Sequence, residues 1–285
     1  MAENNLPALK NALNAESIQK KFNEMLGKKS AGFITSITNV VQNNDLLQKA
    51  DVNSIILAAA QAASLDLPIN PNLGFAAIIP FNDRKNNRCV AQFQIQRDGW
   101  VDLCLRTGQF EYIANEIVYE GELVEKNRFT DTYIFDETKR TSDKVIGYMA
   151  SFKLTNGYKK TVYWTVEECK KHGMQYSQTF KKNYGLWVDN FHAMSLKTVL
   201  KHLLKKFAPK SIESIAKAIE SDQASFVGDI NNSQAVYVDN AKNETQIQDA
   251  DYVEVEEAPV NVDVETGEMV DEKPNVERVN NDDEF

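Results

Sequence analysis

The dipeptide Asn156-Gly157, set between the β-rich runs Val145 to Leu154 and Lys159 to Thr165, constrains the fold of this chain more than any other stretch. Asn-Gly between apolar runs is a hairpin signal, because both residues tolerate the backbone angles of a tight reversal. The centre of the chain is therefore antiparallel sheet. Phe110 to Tyr119 and Thr132 to Phe135 read as further strands, and Leu73 to Pro80 as another β-rich run. After the polar loop Asn82 to Arg88, Ala91, Phe93 and Ile95 alternate with Gln92, Gln94 and Gln96, which predicts a second hairpin with one polar face.

On either side of these strands the apolar period lengthens to that of helices. Glu16 to Leu65 reads as helical, with Ile34, Ile37, Val40 and Val41 at helical spacing. Asp51 is placed to cap an Ala-rich helix from Val52 to Leu65, which Pro68 and Pro71 end. Asp98 to Gly108 predicts a short helix with Gly108 at its C-terminal cap. Thr165-Val-Glu-Glu168 is a capping box that opens a brief helix closed by Gly173, and a polar loop from Met174 to Tyr184 leads into a long helix from Leu186 to Phe207. Pro209 ends that helix, and Ser211 can cap another running to about Ser221. No internal repeat is present. The order defines an α+β fold, a mostly antiparallel sheet packed with helices. It divides into an N-terminal helical segment, 1–32, suited to subunit contacts, a core, 33–225, and an acidic tail, 226–285, expected to be disordered.

The longest uncharged apolar run, Val52 to Leu65, is too short to span a bilayer, and the N-terminus has no basic and apolar signal regions, so a cytoplasmic protein without a membrane partner is expected. Cys89, Cys104 and Cys169 are widely spaced and form no C-x-x-C, which favours a reduced compartment over disulfides or a zinc finger. No phosphate-binding G-x-x-x-x-G-K-[ST], G-x-S-x-G or H-E-x-x-H occurs, and His172, His192 and His202 lack metal-ligand spacing. A nuclease needs clustered carboxylates for Mg²⁺, and the best candidates, Asp131, Asp136 and Glu137 near Lys139, sit beside a loop. An enzyme is not expected.

The net charge of -9 conceals a split along the chain. From Phe226 to Phe285 there are 17 acidic and 3 basic residues, or -14, which leaves 24 acidic and 29 basic residues before it, or +5. A basic body with an acidic tail fits a polyanion-binding domain whose tail makes protein contacts or competes for the site; a purely solubilising tail is the alternative. In the long helix Lys197, Lys201 and Lys205 recur every four residues, a step that turns only about 40°. The three ammonium groups make one stripe, extended by Lys206 and Lys210. It is either a solvated helix face or a phosphate track. The absence of Asp and Glu between Met194 and Pro209 favours the track, because unpaired like charges at this spacing repel. The segment Phe180-Lys181-Lys182-Asn183-Tyr184 mixes cations with aromatics, either as a strand contact or as a plain surface turn. Arg97 and Arg106, with Gly99 and Gly108 beside them, can reach phosphates, and Arg84, Lys85 and Arg88 make a basic loop that is either a DNA finger or nothing.

Several segments in order then carry a likeness. These are Leu73-Gly-Phe-Ala-Ala-Ile-Ile-Pro-Phe-Asn82, Gln92-Phe-Gln-Ile-Gln-Arg-Asp-Gly-Trp100, Arg106-Thr-Gly108, Val118-Tyr-Glu-Gly121, Trp187, Met194-Ser-Leu-Lys-Thr-Val199 and Pro209. From about Phe33 to Pro209 the chain resembles the RecT family of phage single-strand annealing proteins, in particular those of prophages in Gram-positive bacteria. The resemblance implies an ATP-independent protein that coats single-stranded DNA, pairs it with a complementary strand and promotes recombination beside a partner exonuclease. It also implies a ring or helical filament, and a core related to the Beta-type annealing proteins with DNA in a basic groove between sheet and helix. Carried over by motif, Lys197, Thr198, Lys201, Arg97, Arg106 and Thr107 belong to that groove. Lys205, Lys181 and Lys182 join them on charge alone. No cofactor is required on this reading, Mg²⁺ would act as a modulator, and the acidic tail would dock the exonuclease or a host single-strand binding protein. A passive single-strand binder is the competing class.

Overall fold

In a computed structural model the helix α4, Val52–Ser64, is buried at every position from Ser54 to Ala63 except the half-buried Gln61. A helix apolar around its whole circumference belongs at the centre of a domain. Its start is fixed as expected, with the Asp51 carboxylate accepting from the Ser54 N–H at 2.7 Å. The structure describes residues 4–83, 88–127 and 129–236. Three helices precede α4, namely α1 (Leu6–Leu13), α2 (Glu16–Leu26) and α3 (Ser30–Gln42). They place Leu9, Leu13, Phe22, Ile37 and Val41 in the same apolar core. The boundary drawn after residue 32 therefore falls inside α3, and the N-terminal helices are part of the core.

The hairpin of β1 (Ala76–Asp83) and β2 (Arg88–Ile95) packs on α4, with partners running from Ala76↔Ile95 to Asp83↔Arg88. Ala91, Phe93 and Ile95 are fully buried on its apolar side. Its polar side is not open to water, because Gln92 is 1% exposed and Gln94 half-buried. Alternation reported which residues share a face; it could not report that a later segment covers that face.

Next come α5 (Arg97–Arg106) and β3 (Phe110–Tyr119), then the small hairpin of β4 (Leu123–Asn127) and β5 (Thr132–Phe135). The strands β6 (Val145–Leu154) and β7 (Lys159–Thr165) complete a three-stranded antiparallel sheet in the order β3-β6-β7. The turn at Asn156-Gly157 forms as read, with Gly157 at φ +90° and its N–H donating to Leu154.

The helices α6 (Val166–Tyr176), α7 (Gln178–Lys181), α8 (Leu186–Asp189), α9 (Phe191–Phe207) and α10 (Glu213–Ser221) follow, then a hairpin of β8 (Ser225–Gly228) and β9 (Ser233–Val236). The Thr165/Glu168 capping box is present. Gly173 does not close α6. A Cβ there would lie 2.9 Å from the Phe180 ring and 3.0 Å from Trp187, so the glycine lets two aromatic rings cross the helix. Residues 174–184, read as a loop, contain the end of α6 and all of α7. The expected helix from Leu186 is broken at Asn190, whose φ of -134° is not helical. The β8–β9 hairpin also shifts the start of the expected tail. Phe226 is 6% exposed and β8 lies against α4 and β2, so residues 226–236 belong to the folded body; 237–285 lie outside the described residues.

Gly99 marks the tightest backbone approach around α5, since a Cβ there would stand 2.1 Å from the Phe75 carbonyl oxygen. It serves the fold of this chain by that contact. Gly99→Ala must push helix and strand apart, and overpacking of this kind costs about 1–3 kcal/mol. Thermal melting of the variant should show a transition several degrees below the wild type; an unchanged transition would mean that the contact relaxes freely.

Candidate nucleic-acid interface

Helix α9 lies across the β3-β6-β7 sheet and presses Val199, Leu200, Leu203 and Leu204 into the core. The same turns that bury these residues carry Lys197 and Lys201 under the polar side of β2. Lys197 is 8% exposed, and its Nζ lies 3.3 Å from Gln96 Oε1 and 3.5 Å from Gln94 Oε1. Lys201 Nζ stands 2.8 Å from Asp222 Oδ2 and donates to Gln223 Oε1. Lys205 is half-buried one turn further on, and Lys206 sits over the Phe207 ring.

The stripe along α9 is thus real, but it is an interior feature. Its freedom from carboxylates holds only along the helix, since Asp222 meets it from the junction between α10 and β8. That junction is shaped by backbone bonding to β2. The Gln223 N–H donates to the Phe93 carbonyl at 2.9 Å, and the Phe93 N–H donates to Ala224 at 3.1 Å. Gln223 takes φ +63°, which turns two consecutive polar side chains onto the lysines. Asp222 Oδ1 accepts from the Ile95 N–H at 2.8 Å, and Gln92 Nε2 donates to the Gln223 carbonyl at 2.6 Å. Gln94 Nε2 donates to Gln92 Oε1 at 2.9 Å, which leaves Gln94 Oε1 facing Lys197.

Burial dominates the electrostatics. It lowers the Lys197 ammonium to a pKa of about 8, with Asp222 opposing the shift and Lys201 adding to it. Burial, helped by Lys201, holds the His172 imidazole at about 4, so that ring is neutral at pH 7. Neutral carboxamides orient the Lys197 charge without cancelling it. Among the described residues no carboxylate lies within ion-pair distance of Lys197. The network therefore suits an incoming anion.

The other expected residues are spread around this network. Arg97 follows Gln96 directly and is exposed, with its Nε 3.1 Å from Asp98 Oδ1. Arg106 lies at the other end of α5, about 13 Å along the helix. It donates to the carbonyls of Leu65 (3.0 Å) and Asp66 (2.9 Å) and pairs with Asp102, so it clamps the turn after α4. The hydroxyls of Thr107 and Thr198 are bonded within their own helices, to Cys104 at 2.6 Å and Met194 at 2.8 Å. Lys181 and Lys182 are exposed at the end of α7. Phe180 beside them is a packing residue, 5.7 Å from Trp187 and 6.3 Å from Phe191, whereas Tyr184 remains exposed. Arg88 pairs with Asp83 at 3.3 Å, and Arg84 and Lys85 lie outside the described residues. The carboxylates weighed for Mg²⁺ have other work: Asp131 pairs with Lys160 at 2.8 Å, and Asp136 accepts from the Thr138 N–H at 2.9 Å. Among the described residues no helix is long and apolar enough to cross a membrane.

Sequence reasoning missed Gln92, Gln94, Gln96, Asp222 and Gln223 as site residues. The glutamines carried a signal, since three carboxamides on one side of a strand whose other side is buried imply a polar partner. Asp222 carried none, because only the fold brings it to α9.

The class that the fold defines is an α+β protein with a buried pair of lysines between a strand and a helix, on a body richer in bases than acids. The chain belongs to the RecT family, whose model matches residues 31–260. That family comprises single-stranded-DNA-binding annealing proteins of recombination. The chain is 42% identical over 224 residues to the uncharacterized protein YqaK of Bacillus subtilis, covering 79% of this chain and 75% of that protein. It is 26% identical over 189 residues to protein RecT of Escherichia coli, covering 65% of this chain and 68% of that one.

The lowered Lys197 pKa has a definite consequence for stability. Below pH 8 the ammonium is charged in both folded and unfolded chains, and the folded chain bears the burial cost. Between about 8 and the unfolded value of 10.5 the unfolded chain binds more protons, so stability rises with pH. Lys197→Met should abolish this rise and stabilise the DNA-free protein at pH 7, by on the order of 3 kcal/mol at most. Melting curves of both proteins from pH 7 to 10.5 should converge with rising pH, and parallel curves would count against the assignment.

Proposed function

We propose that this protein anneals complementary single strands without ATP, holding each strand by its phosphates and leaving the bases to test a partner. The observation that carries the reading is Lys197, buried in the family-matched segment and met by the neutral oxygens of Gln94 and Gln96. A dehydrated cation left with neutral partners gains most when an anion arrives. Phosphate contacts position a strand without reading its sequence, as an annealer requires. Neutralising two strands lets them approach, and base pairing then supplies specificity, so no chemical turnover and no cofactor is needed. Mg²⁺ acts as a modulator of that approach.

The protein works as a homo-oligomer, a ring or helical filament that coats the strand and retains the duplex product. The acidic residues of 237–285 dock a phage exonuclease or a host single-strand binding protein, or limit self-association of the basic body. Arg97, Lys205, Lys181 and Lys182 extend the phosphate path from the network outward. A passive coat protein is the second reading, and it is separated from the first by pairing rather than by binding.

Two complementary labelled oligonucleotides, added in turn without nucleotide, test this directly. Rapid pairing into a stable protein-duplex complex with uncut strands is expected, with Mg²⁺ changing the rate only. Binding without pairing would leave a coat protein, and shortened strands would revive a nuclease. Replacing Lys197 and Lys201 together by Ala should weaken binding and flatten the plot of log affinity against log salt by about 0.7 per lost phosphate contact. An unchanged slope would remove both lysines from the strand path. Affinity should also fall between pH 7 and 9 as Lys197 loses its proton, whereas Lys197→Arg should bind with no such loss.

A further inference from the structure

The polar network contains a group that strand binding does not call for, the carboxylate of Asp222. It is 4% exposed as a residue and its side chain 1%, and it stands among lysines that an incoming phosphate would approach. One oxygen is anchored on the Ile95 N–H at 2.8 Å and the other faces Lys201 Nζ at 2.8 Å. The geometry points to Asp222 as an internal counter-anion that occupies Lys201 in the strand-free protein and exchanges with a DNA phosphate, limiting affinity so that strands are released and re-registered during pairing. This inference rests on the phosphate-holding role of α9 proposed above.

Three features support exchange over a merely structural pair. The two oxygens of Asp222 have separate duties, so the Ile95 bond persists when Lys201 turns to a phosphate. The junction carrying Asp222 is tied to β2 by the Gln223 and Phe93 N–H groups, so the carboxylate keeps its place while the lysine moves. Lys201 also donates to Gln223 Oε1, a neutral acceptor that can stay with the ammonium throughout. A carboxylate this close to the phosphate path repels it, and low local polarity strengthens the repulsion. An annealing protein gains from such a brake, since a strand held too firmly cannot search for register.

Asp222→Asn separates the two roles, because the amide keeps an oxygen for the Ile95 N–H and removes the charge. Full-length wild type and variant are compared for binding and dissociation of an oligo-dT strand across a salt series. Exchange predicts about tenfold tighter binding and slower dissociation, with the salt slope unchanged because Lys201 reaches phosphate in both proteins. The effect should shrink when Lys201→Gln is present in both proteins, leaving only the direct repulsion between carboxylate and phosphate. A folded variant with equal or weaker binding, beside a wild type that binds normally, would overturn the inference and make Asp222 a residue that only positions Lys201. Failure of the wild type to bind at all would instead overturn the strand-holding role of α9. If the variant melts below the assay temperature, saturating oligo-dT should raise its melting point more than that of the wild type. A smaller rise, or none, would also refute exchange.

Discussion

A buried ammonium group must be met by oxygen, and the centre of this protein is arranged around that requirement. Helix α9 cannot bury Val199, Leu200, Leu203 and Leu204 against the sheet without carrying Lys197 and Lys201 beneath β2. The cost of dehydrating those cations is offset by the carboxamides of Gln94, Gln96 and Gln223 and by the carboxylate of Asp222. The α10–β8 junction takes its path from the same requirement, since it must lie against Phe93 and Ile95 for Asp222 to arrive. Fold and site are one construction, and the polar side of β2 is its hinge line.

Much of this was legible in the residues. The Asn156-Gly157 turn, the Asp51 cap and the Thr165/Glu168 capping box are local, and local chemistry decided them. The strands Phe110–Tyr119, Thr132–Phe135, Val145–Leu154 and Lys159–Thr165 were also legible, whereas β4 was not read. What failed to show was decided at long range. Gly173 resembles a helix stop until Phe180 and Trp187 are seen packed on it. Phe226 resembles the start of an acidic tail until β8 is seen against α4. The burial of Lys197 and Lys201 was hidden for the same reason, since the partners of Lys197 lie about a hundred residues earlier on β2 and those of Lys201 some twenty residues later.

The arrangement also explains why some cations are poor witnesses to function. Arg106 is conspicuous in the sequence, yet it clamps the carbonyls that follow α4. Arg88 answers Asp83 across its own hairpin. Lys197 differs from both, because its buried charge is met by the neutral oxygens of Gln94 and Gln96. Burial that lowers its pKa to about 8 is the same burial that makes a phosphate valuable to it, so stability, pH response and strand affinity all pass through one side chain.

The most direct measurement is the position of the phosphates in a cryo-electron-microscopy structure of the full-length protein on an oligo-dT strand. A phosphate oxygen is expected within about 3 Å of the Lys197 or Lys201 ammonium, in the groove between β2 and α9. A strand running over the exposed Lys181 and Lys182, with the Gln94, Gln96, Lys197, Lys201 and Asp222 network untouched beneath it, would contradict this placement.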